Sequence, residues 1–181
     1  QLAAVQSVPL GKLDFLKGPP GAERGLAQEF DKYSRFGDWI QEHIGSPAIA
    51  KSLERLKSLW PNNQPEGLVW GDARIGNMMF DENFEVVTVM DWEQPSLGGA
   101  LNDLGWFLTL SETMHGRTSV MGTFLEAMGT RAETIERWER LTGKSAADIE
   151  WYEDFTQFKM ACTGMRMGYW RGSQMFTEED V

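Results

Sequence analysis

Three short apolar runs, each bordered by a carboxylate or amide residue, constrain this chain more than any other feature. Residues 67–70, Gly-Leu-Val-Trp, read as a short buried strand that runs straight into Gly71-Asp72. Residues 77–80, Asn-Met-Met-Phe, read as a second strand, and residues 84–90, Phe-Glu-Val-Val-Thr-Val-Met, as a third, rich in β-branched side chains. Asp81-Glu82-Asn83 between them is a turn, because Asp and Asn tolerate unusual backbone angles. The third run delivers Asp91 to the same end of the hairpin as Asp72 and Asn77. Three polar groups are therefore expected to converge at one edge of a small sheet.

That spacing has chemical content. Asp72, four intervening residues, Asn77 and then Asp91 supply the parts that phosphoryl transfer requires. One carboxylate orients the attacking hydroxyl and accepts its proton, while an amide and a second carboxylate hold magnesium on the nucleotide phosphates. In such a reaction a protein positions groups and neutralises charge. Taken singly, each of the three reads more readily as a turn or capping residue. Their order, set between strands, is what points to a site.

The remainder is expected to be mostly helical. Residues 22–43 place Leu26, Phe30, Tyr33 and Ile40 on one broad face, and residues 48–59 carry Leu53, Leu56 and Leu59. Residues 61–65 are a Pro- and Asn-rich loop. Residues 101–110 read as a buried helix, and 118–128 with 132–141 as a helix pair around Gly129. The longest helix spans 145–172, where Trp151, Phe155, Phe158, Cys162, Met165 and Tyr169 step by three and four. The Met and Trp content of that helix reads as core first and as a pocket for an acyl chain second.

Composition excludes several functions. The net charge of -10, from 27 acidic against 17 basic residues, argues against nucleic acid or an anionic membrane as partner. Nucleotide binding is untouched by this, since local groups and magnesium handle it. No apolar run reaches the 18 residues of a membrane span. The single Cys162 rules out an intrachain disulfide and fits a reducing, cytoplasmic setting. His43 and His115 have no metal-ligand spacing and read as surface residues.

The stretch VWGDARIGNMMFDENFEVVTVMDWEQPSLGGALNDLGWFL resembles the catalytic core of the aminoglycoside phosphotransferase-like small-molecule kinases. Within that family it is similar to the branch that also occurs fused to acyl-CoA dehydrogenase domains. The later segment LTGKSAADIEWYEDFTQFKMACTGMRMGYWRG resembles the same branch. The likeness spans roughly residues 67–172 and, more loosely, those before. It implies an α+β, predominantly helical fold: a protein-kinase-like C-terminal lobe with a small hairpin carrying the catalytic loop. It implies that Asp72 is the catalytic Asp, that Asn77 and Asp91 bind magnesium and that Arg74 lies near the transferred phosphate. Asp103 would anchor the catalytic loop from the following helix. Trp92 and Glu93 either face the acceptor or pack the following loop, and Arg74 is equally a loop cation or an ion-pair partner.

The chain departs from the family pattern twice. Trp70 stands where a His is usual, and Gly99-Ala100 where Asp-Pro is usual, the latter near the expected acceptor site. An indole offers one donor and no acceptor, so Trp70 is expected to hold the loop by apolar packing, its ring beneath Asp72.

The implied reaction uses ATP as phosphoryl donor and Mg2+, with a small hydroxyl-bearing molecule as acceptor, such as a hydroxyacyl-CoA or an aminoglycoside. Trp70 is also the best argument for the alternative, a non-catalytic pseudokinase-like module. The same branch implies that such a protein is named after acyl-CoA dehydrogenases, although no flavin site is expected. No Gly-rich loop followed by a strand Lys precedes Asp72. The whole of 1–181 is therefore expected to be a C-terminal lobe whose N-terminal nucleotide-binding lobe lies elsewhere.

Overall fold

The computed structural model describes residues 1–115 and 129–172. The helix expected over 118–128 and the side chain of His115 lie outside the described residues. Among the described residues the chain is predominantly helical with one two-stranded antiparallel sheet. In order come α1 (Leu2–Gln6), α2 (Leu26–His43), α3 (Pro47–Ser58), β1 (Met78–Phe80), β2 (Val86–Val89), α4 (Leu101–His115), α5 (Arg131–Thr142) and α6 (Ile149–Arg171).

The helix boundaries follow local chemistry. Gly25 takes φ 81, a left-handed value outside any helix, so α2 starts at Leu26 and not at residue 22. Ser46 caps α3 by accepting the Ile49 amide at 3.3 Å, with Pro47 at the first position. Thr130 and Glu133 cap α5 reciprocally, and Gly143 ends it at φ 67. The last helix begins four residues later than its periodicity suggests. Asp148 is left-handed and turns its carboxylate to the Asn62 and Asn63 amides at 2.8 and 3.0 Å, away from its own helix.

The hairpin pairs Met78 with Val89 and Met79 with Thr88, with a bulge before Phe80. At its tip Asp81 Oδ1 accepts the amides of Asn83 and Glu85, each at 2.9 Å. Residues 67–70 do not form the strand expected there. Val69 exchanges both backbone bonds with Ser96, at 2.9 and 3.2 Å, and pairing stops there. The reason is local: Gly71 bends the chain at φ 101, so closely against Gln94 that a Cβ would fall 2.6 Å from the Gln94 carbonyl.

Leu26, Phe30, Tyr33 and Ile40 of α2 bury against Leu53 and Leu56 of α3, Leu101 and Leu104 of α4, and Trp151, Phe155, Phe158, Cys162 and Met165 of α6. Tyr169, expected to continue the α6 stripe, leaves the core and is about half exposed. Helices α4 and α6 touch backbone to side chain at Gly105, where a Cβ would lie 2.9 Å from Tyr152 atoms. No described helix is long and apolar enough to cross a membrane.

Candidate active site

Asp72 sits where the bridge strand has ended and the hairpin has not begun. Its carboxylate is the centre of a polar cluster. Oδ1 accepts the Trp106 indole N–H at 3.0 Å. Oδ2 accepts from Arg74 Nε at 2.9 Å and from Asn77 Nδ2 at 2.7 Å. The same Asn77 nitrogen reaches the Asp72 carbonyl at 3.1 Å, closing the loop on itself. Asn77 is buried while the Asp72 side chain keeps about a quarter of its surface in solvent. Arg74 is thus an ion-pair partner of Asp72 in this structure.

The hairpin brings Asp91 to this cluster. The Met90 amide donates to the Asn77 carbonyl at 2.8 Å, so Asp91 is one residue beyond the point where β2 meets Asn77. Asp91 is exposed, takes the left-handed φ of 61, and makes no hydrogen bond or ion pair among the described residues. A non-glycine residue held in that region costs of order 1 kcal/mol, and such residues cluster at functional sites.

Asn77 spends its nitrogen on Asp72, and its Oδ1 takes no hydrogen bond among the described residues. The Asn77 Oδ1 and the Asp91 carboxylate are thus both uncommitted among the described residues, and an amide oxygen with a carboxylate is a donor pair that suits magnesium. That ion uses one or two carboxylates and completes its shell with water and substrate phosphates. Among the described residues no three His, Cys, Asp or Glu side chains group to form an all-protein metal cage.

Two supports fix the loop from behind. The Asp103 carboxylate, wholly buried at the start of α4, accepts the Trp70 amide at 2.7 Å and the Gly71 amide at 2.9 Å. Burial pushes its pKa up to about 6, and the two amides and Lys159 resist that rise. Trp70 is itself 0% exposed. It does more than pack: its indole N–H donates to the Met90 carbonyl at 2.7 Å. The expectation of purely apolar anchoring is corrected accordingly. The single donor of an indole is enough because the acceptor is a backbone carbonyl.

Trp92 is 40% exposed, tilts against Trp70 at 6.0 Å between ring centroids and donates to the Val89 carbonyl at 3.1 Å. Glu93 is exposed beside it. Gly99-Ala100 is buried. The Ala100 amide donates to the Pro65 carbonyl at 2.9 Å, and its carbonyl accepts from Gln6 Nε2 at 2.8 Å. His43 lies at the surface stacked on Trp39, and Cys162 is buried, its thiol pushed up to about 12 by that burial.

Sequence reasoning missed Trp106, although it lies one turn after Asp103 on α4 and so shares its face. It also missed Lys159, a lone charge inside the apolar stripe of α6, and Glu29, buried on α2.

This geometry coincides with a family assignment. Residues 1–143 match the model of APH, the phosphotransferase enzyme family, and the chain belongs to that family. In fold it is similar to a protein named as an aminoglycoside phosphotransferase of Ralstonia eutropha, with a TM-score of 0.75 and 20% identity over 98% of this chain and 56% of that one. It is also similar to a macrolide 2'-phosphotransferase of type I, with a TM-score of 0.67 and 16% identity over 96% of this chain and 52% of the other. In sequence it is similar to acyl-CoA dehydrogenase family member 11 of Homo sapiens, 37% identical over 67 residues. Member 10 of Mus musculus is 29% identical over 94 residues. Each alignment covers 9% of the relative, and 36% and 44% of this chain respectively.

Proposed function

We propose that this chain is the catalytic lobe of a small-molecule kinase that transfers the γ-phosphoryl group of ATP to a hydroxyl group. The observation that carries this is the placement of one carboxylate, Asp72, in a loop clasped by Asn77, with Asp91 delivered beside Asn77 by the hairpin. Asn77 and Asp91 are the residues suited to hold Mg2+, which when bound neutralises charge on the nucleotide phosphates.

Asp72 receives the acceptor's proton as the hydroxyl oxygen bonds to phosphorus and the bond to the ADP oxygen breaks. Trp106 and Asn77 aim its carboxylate from two sides. Arg74 shares Oδ2 at rest. In this reading it turns to the phosphate oxygens when nucleotide arrives, which frees a lone pair for the hydroxyl.

The Gly-rich loop and strand Lys that cover nucleotide phosphates belong, in this proposal, to a second lobe. The structural neighbours, of which this chain covers little more than half, support that. The hairpin's outer surface, with Phe84 86% exposed and Met79, Phe80 and Val87 also open, is the apolar face where such a lobe would rest. The acceptor is a hydroxyl-bearing small molecule. The names of the sequence relatives support a hydroxyacyl-CoA, and those of the fold neighbours an aminoglycoside-like compound. The buried, hydrogen-bonded Trp70 supports the catalytic reading over a non-catalytic module, since the loop keeps its anchor without the usual His.

The test is phosphoryl transfer by the full-length protein and its Asp72→Asn variant. Turnover should fall by a factor on the order of 10² or more, the scale of general-base assistance, with nucleotide binding retained. Unchanged turnover at saturating substrate would remove Asp72 from the chemistry.

A further inference from the structure

Lys159 sits mid-stripe on α6 and is only 3% exposed. Its ammonium lies 5.0 Å from the ring centroid of Phe155, 5.4 Å from that of Trp106 and 5.5 Å from that of Tyr33. Among the described residues no hydrogen bond reaches it and no carboxylate lies within ion-pair distance. A buried ammonium costs several kcal/mol unless other charges compensate it.

The compensation is at longer range. Burial pushes the Lys159 pKa below the ordinary lysine value; Glu29 on α2 and Asp103 on α4, both buried, oppose that fall, and Lys32 adds to it. The Tyr33 hydroxyl feels Glu29, Cys162 and Asp72 from the same region.

Two lines lead from this ammonium to Asp72. One runs through Trp106, whose ring carries the cation near its face and whose N–H edge donates to Asp72 Oδ1. A cation over an indole draws electron density from the ring and strengthens the N–H as a donor. The other runs through Asp103, whose carboxylate holds the Trp70 and Gly71 amides. We infer that Lys159 is a positioning residue: its buried ammonium balances Glu29 and Asp103, and so keeps the loop of Trp70, Gly71 and Asp72 fastened to α4. For its catalytic consequence the inference rests on the proposed function; its electrostatic content stands without it.

The experiment uses the full-length protein with Lys159→Met, which keeps the unbranched stem, and the double variant Lys159→Met with Glu29→Gln. Melting temperature is followed from about pH 5 to 8. Losing the cation removes an influence that lowers the folded-state pKa of Asp103, so the deficit against wild type should widen as pH rises through that range. Glu29→Gln removes one uncompensated charge and should recover most of the deficit. In turnover, the acid limb of the kcat profile should move up by about one pH unit in Lys159→Met. It should return in the double variant, with the nucleotide KM unchanged throughout.

A deficit independent of pH and untouched by Glu29→Gln would reduce Lys159 to packing and overturn the inference. So would a melting deficit of the expected form with an unmoved acid limb, since the balance would then not reach the loop. If Lys159→Met alone does not fold, recovery of folding in the double variant supports the inference and its absence overturns it. A wild type without phosphoryl transfer would count against the proposed function, while the melting comparison would still decide the charge balance.

Discussion

The Trp70 indole donates to the Met90 carbonyl at 2.7 Å, and that carbonyl belongs to the peptide that joins Met90 to Asp91. Trp70, at the head of the Asp72 loop, therefore grips Met90, the residue before Asp91. Loop and hairpin are tied at the one place where Asp72 and Asp91 must keep a common geometry.

This tie predicts a separation of effects. Trp70→Phe keeps most of the packing and loses the part-buried bond, a loss of about 0.5–1.5 kcal/mol. Melting should drop modestly, and magnesium-nucleotide affinity should drop as well. Trp70→Ala should cost about 3–5 kcal/mol through the cavity it opens. Thermal melts and calorimetry on the same preparations check both. Unaltered nucleotide affinity in Trp70→Phe would show that the tie does not reach Asp91.

Asp91 offers a sharper contrast because its φ of 61 suits glycine. Asp91→Gly relieves about 1 kcal/mol of backbone strain and removes the carboxylate. Asp91→Ala removes the carboxylate and keeps the strain. Both should weaken magnesium-nucleotide binding about equally, while only Asp91→Gly melts at or above the wild-type temperature. Equal melting points in the two variants would mean that the left-handed turn stores nothing.

Trp106 bonds Asp72 with its ring edge, so Trp106→Phe isolates that bond. Turnover should fall by about tenfold, the worth of one charge-assisted hydrogen bond of about 1.4 kcal/mol, with little change in nucleotide KM. Steady-state kinetics decides it. A large rise in KM with kcat intact would assign Trp106 to binding instead.

Asp103 makes pH a probe. Burial raises its folded-state pKa to about 6 from an ordinary value of 3.8. The stability this group contributes is thus fully present below about pH 4 and is lost as pH rises through about 6. The loop anchor has the opposite sense, because the ionised carboxylate accepts the Trp70 and Gly71 amides more strongly. Turnover of the full-length protein should therefore fall on the acid side with a midpoint near pH 6, without unfolding. Circular dichroism alongside the rate profile checks this, and a rate constant across pH 5 to 7 would refute it.

Much of the fold is legible in the residue order. The spacing of Leu26, Phe30, Tyr33 and Ile40 marks α2, and the β-branched run ending at Val89 marks the second hairpin strand. The ends were harder to read, because Gly25 and Asp148 take left-handed angles for reasons that only their neighbours reveal. Residues 67–70 look like a strand by composition, yet a strand needs a partner, and theirs is one residue of a distant loop, Ser96. Asp72 and Asn77 lie five residues apart in a turn and can be placed together from spacing. Trp106 and Lys159 cannot. Their relation to Asp72 exists only after α4 has packed on α6, and no local pattern encodes a contact of that kind.

Gly105 sets how near those two helices come. Any side chain there, even one methyl group, meets Tyr152 at 2.9 Å and must push the helices apart. Asp103 rides on one of them and Lys159 on the other. Their electrostatic conversation falls with every tenth of an ångström. The hydrogen atom at position 105 thus acts as a spacer gauge between α4 and α6: it fixes from within the protein how firmly the loop of Trp70, Gly71 and Asp72 is held.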